Sequence, residues 1–397
     1  MLYLRNNMLG RFTRSLVAFS VLTLAATSVV GCSAQAEEED GPVTGASAAT
    51  VARPTQFVIL AFDGSYALPF WEESLAFAKT NNLKFTYFIS GTYFIPNASK
   101  SGYIAPHGLG AGKSAIGWGG TVDEIKTRFG WLKKAHDAGN EIASHANGHF
   151  DGSNWTEADW NSEFDQFDKI FFQGIGLTAP AMPFTARDVV GFRAPQLGHS
   201  PGLFKTLPNK GYTYDTSKST SANYWPEKNN GVWNFPLAQL RIVGSNKATL
   251  SMDYNFYVAD SRGENNAANK ETYKKQMIDT YMKYFEANYF GNRAPIHIGH
   301  HFSKWNGGAY WEAMQTFAKR VCGQPEVKCG TYKELVRFME ENASKRADLQ
   351  AGNFPKMARP PSAGEDTVTT GLSAAELAEL EATKEGHDEA DANEHND

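Results

Sequence analysis

The sequence is poor in cysteine, in long apolar runs and in clustered positive charge. Only three cysteines occur in 397 residues. The most apolar run, residues 16–30, is 15 residues long, short of the roughly 20 that cross a bilayer comfortably, so no transmembrane helix is expected. Lysine and arginine number 38 against 43 acidic residues, for a net charge of -5, and they form no basic cluster, so a nucleic-acid partner is not expected. No internal repeat is visible, which sets aside a repeat architecture. Glutamate is also missing where it would matter. Ala146 follows His145, the first of two histidines four apart, so the HExxH helix of metalloproteases is excluded.

What is present begins with an export signal. Arg5, Arg11 and Arg14 supply a positive start before the apolar run, which closes on Val29, Val30, Gly31 and Cys32. That ending resembles the bacterial lipoprotein box, and Met8 is a second candidate start. The resemblance implies removal of residues 1–31, lipid on the Cys32 thiol and, because Ser33 rather than Asp follows, an outer-membrane anchor facing the periplasm. Residues 32–54, rich in Ala, Ser, Thr, Gly and acid, read as a flexible tether. In an exported chain Cys322 and Cys329 are expected to pair and staple a small loop. Residues 346–397 read as an acidic, largely disordered tail; within it Ser373 and Glu376 can cap a short helix, which would be marginal in water. Residues 365–397 hold eleven acidic groups against Lys384 alone. The body is therefore mildly basic, which suits an anionic wall polymer, and a monomer is expected.

Residues 55–345 are long enough for one large domain. Sixteen Tyr, nine Trp and 26 Phe serve either a sugar-stacking cleft or a large core. Residues 56–62 form an apolar strand, followed by a helix over 68–81 and a second strand over 84–90, a βαβ opening that favours a parallel sheet. A glycine-rich loop spans 91–120 and is long enough to be functional. Thr121 with Glu124 caps the next helix. Strands are then expected at 141–144, 189–193, 212–215, 231–243, 249–258 and 294–300, and helices at 270–290, 310–321 and 331–344. Strand alternating with helix through about seven units predicts an α/β fold, a distorted (β/α) barrel.

The strand ends carry the chemistry. His145 and His149 follow the 141–144 strand, and two imidazoles can supply two of the about three protein ligands of a catalytic zinc. Asp63, Arg193, Asp215 and His300 close four other strands. Five segments in order, AFDGS at 61–65, HANGH at 145–149, RAP at 193–195, YDTS at 214–217 and IGH at 298–300, resemble the motifs of the polysaccharide deacetylase family, carbohydrate esterases that include chitin and peptidoglycan deacetylases. Residues 232–237 resemble a further family strand, with Asn234 where Glu is common.

The resemblance implies a hydrolase that removes N-acetyl groups from an amino-sugar polymer using a divalent metal, most often zinc. Asp63, His145 and His149 would hold the ion. Asp63 would take a proton from water, Arg193 would keep Asp63 ionised, His300 would protonate the leaving amine, and Asp215 would orient His300. The residue types suit the reaction, since a cation lowers the pKa of a nearby carboxylate, a carboxylate raises that of a histidine, and a bound divalent ion lowers the pKa of water to about 7. One departure stands out. The family carries two adjacent aspartates, base then ligand, whereas Gly64 follows Asp63 here. Asp63 is then either base or ligand, and Asp151, Ser65, His297, His300 and His301 are candidate substitutes. A glycan-binding lipoprotein of the same fold with impaired catalysis is the alternative. A site closed by the 91–120 loop would suit a small cyclic amide; an open groove would suit a polymer.

Overall fold

A computed structural model describes residues 51–360 and 372–382. The expected signal peptide, the lipid site at Cys32 and residues 32–50 of the tether lie outside the described residues. Among the described residues no helix is long and apolar enough to cross a membrane.

The first strand, β1 (Gln56–Gly64), is buried along almost its whole length, as a strand covered on both faces must be. Leu68–Thr80 forms α1, β2 follows at Thr86–Ile89, a small hairpin comprises β3 (Ile104–Ala105) and β4 (Gly110–Ala111), and α2 (Val122–Asp137) starts on the expected Thr121/Glu124 capping box. Then come β5 (Glu141–Ser144), α3 (Glu157–Phe172), β6 (Gly191–Phe192), α4 (Pro201–Asn209) and β7 (Tyr214–Asp215). Five short strands follow: β8 (Ser219–Ser221), β9 (Glu227–Asn229), β10 (Val232–Asn234), β11 (Leu237–Arg241) and β12 (Ala248–Leu250). The remaining elements are α5 (Asp253–Ser261), α6 (Lys270–Phe290), β13 (Ile296–His301), α7 (Trp305–Val321), β14 (Val327–Gly330), α8 (Tyr332–Glu341), α9 (Arg346–Ala351) and α10 (Ala374–Ala382).

The main sheet runs β13-β1-β2-β5-β6-β7-β10 with all seven strands parallel, then antiparallel β9, while β14 pairs with the start of β1 on the edge away from β13, the edge that β2 takes further along. It curls into part of a barrel with helices outside, the expected distorted (β/α) barrel. The gap is covered by the β8-β11-β12 sheet, whose following residues reach β13: Met252 bridges to Gly299, and Gly299 N–H donates to the Ser251 carbonyl at 2.9 Å.

Two cores follow from strand parity. Phe62 on β1 faces outward, packing against Phe85, Tyr87 and Trp311 under the helices. Phe57, Ile59 and Ala61 face inward with Tyr214, Phe235 and Tyr332. The Tyr332, Phe235 and His297 rings form a three-membered cluster, with centroids 5.6, 5.6 and 5.7 Å apart. The barrel floor is thus an aromatic cluster supplied by the start of α8.

Three expectations are corrected. The strand predicted at 231–243 breaks into β10 and β11 at Pro236, which cannot donate to a sheet ladder. The strand predicted at 249–258 ends at Leu250, and Asp253–Ser261 is helical instead. The tail boundary at 346 is displaced. Arg346 bonds the Trp225 and Pro226 carbonyls and Glu227, and Leu349 and Phe354 are buried in the inner core. Val51 and Arg53 also join the domain, through the Asn353 carbonyl and Glu326. Cys322 and Cys329 form a disulfide with Cα atoms 5.4 Å apart.

Candidate active site

Asp63 ends β1 on the inward face and is 3% exposed; Arg193, following β6, is fully buried beside it. Arg193 NH1 donates to Asp63 Oδ1 at 2.7 Å, Nε to Thr216 Oγ1 at 2.7 Å and NH2 to the Tyr332 hydroxyl at 3.4 Å, with the guanidinium 4.5 Å above the Phe88 ring. Burial by itself would raise the Asp63 carboxyl, but the charge of Arg193, with contributions from His145 and His301, holds it below the usual carboxylate range.

His145 and His149 bracket a tight loop in which Ala146 and His149 adopt φ of 55° and 60°. Burial drives His145 down to about 3, so its imidazole is neutral. His145 Nδ1 lies 2.8 Å from the Arg193 carbonyl. The proton therefore sits on Nδ1 and the Nε2 lone pair is left for a ligand, the arrangement that orients metal-binding histidines. The loop is anchored from behind: Glu163 on α3 accepts from Asn147 N–H at 2.8 Å and from the Tyr103 hydroxyl at 2.9 Å. Burial pushes the Glu163 carboxyl up to about 7.

The imidazole pair fits a metal. Two rings bound to one tetrahedral ion, with metal to nitrogen lengths of about 2 Å, place their centroids roughly 5 Å apart; His145 and His149 are 5.1 Å apart, centroid to centroid. The three-member set does not close. Asp63 turns Oδ1 to Arg193, and among the described residues no group of three His, Cys, Asp or Glu side chains is placed to hold one ion. Gly64 has φ +81° and contributes no side chain. Asp151 is spent on Ser153 N–H and Oγ, and His297 is stacked in the floor.

The expected acid and its partner are rearranged. In the parallel register Phe62 pairs with His300 and Asp63 with His301, so His300 faces outward with Phe62, beside the Tyr281 hydroxyl at 3.3 Å. His301 shares the inward face with Asp63. Its Nδ1 lies 2.7 Å from Asp253 Oδ1, and His301 N–H donates to Asp253 Oδ2 at 2.9 Å. Asp253 also lies 3.4 Å from His300 Nδ1. Burial opposes charge on Asp253, but His301 and His300 overrule it and hold the carboxyl far below its ordinary range. Asp215 is not the histidine partner: it accepts from Ser217 Oγ at 2.6 Å and Ser217 N–H at 3.2 Å, and burial raises it. Asp253 is missed because 253–261 reads as a strand, and His301, named in the sequence only as a substitute for the absent aspartate, is not assigned the proton-donor place because two consecutive histidines leave the parity open.

Asp63 and His145 open on a cavity of about 280 Å³, lined also by Gln196, His199, Lys218, Tyr254 and Asn255 together with Leu197, Leu250, Met252, Leu377 and Leu380. The 91–120 loop contributes nothing to this wall; α10 does.

No family model and no curated protein matches the chain. Solved structures do show likenesses. A protein of Mycobacterium smegmatis classed by name as a polysaccharide deacetylase is 15% identical, over 79% of this chain and 98% of that one, with a TM-score of 0.48. The CE4 domain of a multidomain xylanase from the hindgut metagenome of Trinervitermes trinervoides is 11% identical over 73% of this chain and 92% of its own, at 0.39. A CE4 family pseudoenzyme from Bacillus anthracis is 10% identical over 72% and 66%, also at 0.39. At these identities and TM-scores each is a similarity and nothing more.

Proposed function

We propose that this chain is a polysaccharide deacetylase, a hydrolase releasing acetate from an N-acetylated amino-sugar polymer of the chitin or peptidoglycan kind, exported as a lipoprotein on Cys32 and facing the periplasm. The observation that supports it is the meeting, at the ends of neighbouring parallel strands, of an ionised carboxylate and an imidazole pair beside a histidine/aspartate couple, with Asp63 and His145 opening on one cavity. His145 and His149 would hold a divalent ion, with zinc suited to imidazole donors. Such an ion polarises the acyl carbonyl and makes water more acidic. Asp63, kept ionised by Arg193, accepts the proton of the attacking water. His301, oriented by Asp253, delivers a proton to the leaving amine. Asp215 and His300, assigned those tasks by the sequence motifs, become supporting residues.

A second reading is favoured by Gly64: without a third ligand the protein binds glycan and hydrolyses it poorly. Gly64→Asp separates the two. Asp tolerates positive φ better than most residues, and a Cβ at position 64 meets only Tyr93 Cε2 at 3.7 Å. Protein stripped with chelator and reloaded with zinc is expected to release acetate from N-acetylglucosamine oligomers, and Gly64→Asp to bind zinc at least tenfold more tightly by calorimetry. Acetate release from Gly64→Asp alone identifies the native chain as the impaired binder. Zinc-independent silence in both forms refutes the hydrolase.

A further inference from the structure

The tail helix α10 is the element of the cavity that the proposed chemistry does not use. It is 9 residues long, too short to be stable alone in water, so its order comes from what it touches. Ser373 Oγ accepts from Glu376 N–H at 3.3 Å while the Glu376 carboxylate accepts from Ser373 N–H at 2.9 Å, closing a capping box. The same carboxylate takes two bonds from Arg241 on β11, at 2.6 and 2.9 Å. Leu372, just before the helix, is 8% exposed. Leu377 and Leu380, one turn apart and therefore on one face, form cavity wall with Asp63 and His145. The helix is pinned at its start by one guanidinium and contributes two leucines to the wall of the cavity that holds Asp63 and His145.

We infer that α10 sets the length of glycan the site accepts. This rests on the deacetylase reading and narrows its substrate class. With Leu377 and Leu380 in place, the cavity of about 280 Å³ lies at the small end of ligand sites, which run from roughly 300 to 1,000 Å³. It takes a chain end or a short oligosaccharide. A long polymer reaches Asp63 and His145 by displacing α10. The contacts permit that: two leucines that are only partly covered and one ion pair with both partners about a quarter exposed, a kind of pair that contributes little and is screened by salt.

The test uses the full chain and two variants, Leu377→Asp/Leu380→Asp, which makes the covering face polar, and Arg241→Glu, which releases the helix without touching the cavity. Affinities for N-acetylglucosamine dimer and hexamer are measured by calorimetry. Hydrogen exchange is followed at residues 194–197 and 250–252. Both variants are expected to raise the hexamer-to-dimer affinity ratio at least tenfold and to lose protection in those two segments, and 0.5 M salt is expected to do the same to the wild type in part. An unchanged ratio with unchanged protection in folded variants overturns the inference. Binding of neither oligomer by any form removes the glycan reading instead, and exchange then decides whether α10 covers the site: protection equal to wild type in both variants overturns that too.

Discussion

Replacing Arg193 by Met tests the central electrostatic claim. The side chain is fully buried, and it is the one cation bonded to Asp63 among the described residues. Met keeps much of the apolar volume over Phe88 but removes the charge, leaving a carboxylate that is 3% exposed without its partner. Breaking a buried pair from one side costs about 3–5 kcal/mol, which in a domain of this size lowers the melting temperature by roughly 6–10 °C. The pH dependence should change sign. In the wild type the Asp63 pKa is depressed, so its contribution is present above the unfolded carboxylate pKa of about 4 and is lost as pH falls below it. In Arg193→Met burial is opposed only by the weaker influence of His145 and His301, so the pKa is expected to rise and stability to fall as pH climbs from about 4 towards neutrality. Asp63→Asn in the Arg193→Met background should recover most of the loss, because the unpaired charge is gone. Urea unfolding followed by tryptophan fluorescence between pH 4 and 8 reads all three. A cost below about 1 kcal/mol for Arg193→Met, or a pH slope parallel to the wild type, would refute the reasoning.

The Glu163 anchor has its own signature. With a carboxyl raised to about 7 by burial, the folded protein retains a proton that the unfolded chain has released above about 4.5, so this group favours folding below that pH and loses its contribution, about 3 kcal/mol, as pH rises to 7. Glu163→Gln should flatten that part of the stability profile, and an unaltered profile from pH 5 to 8 would show that Glu163 is ionised throughout. For the two neighbouring histidines, His301→Gln should cut acetate release about 10²–10⁴-fold in a normally folded protein, whereas His300→Gln should leave turnover within a few fold and cost about 1 kcal/mol through the lost contact with Tyr281. The opposite ranking would return the proton-donor role to His300.

Most of the architecture is readable along the chain because its determinants are local. The Thr121/Glu124 box, the unbroken apolar run of β1 and the long helix at 270–290 are each specified by residues within a few positions of one another. Asp63, His145, His149 and Arg193 are equally legible, since a residue ending a parallel strand of an α/β sheet is delivered to the same mouth. The tail was misread for the complementary reason: Leu349, Phe354 and the leucines of α10 are too sparse to fold alone, and they are ordered by surfaces contributed from more than a hundred residues away.

By itself, then, the sequence determined the layered α/β plan and the list of reactive side chains, because hydrophobic period, caps and motif order act over short distances. Only the tertiary structure decided which of two adjacent histidines faces Asp63, that Asp253 rather than Asp215 is its partner, and that α10 lines the cavity. Inward and outward faces of a strand are set by pairing register with a distant neighbour, and no local pattern carries that information.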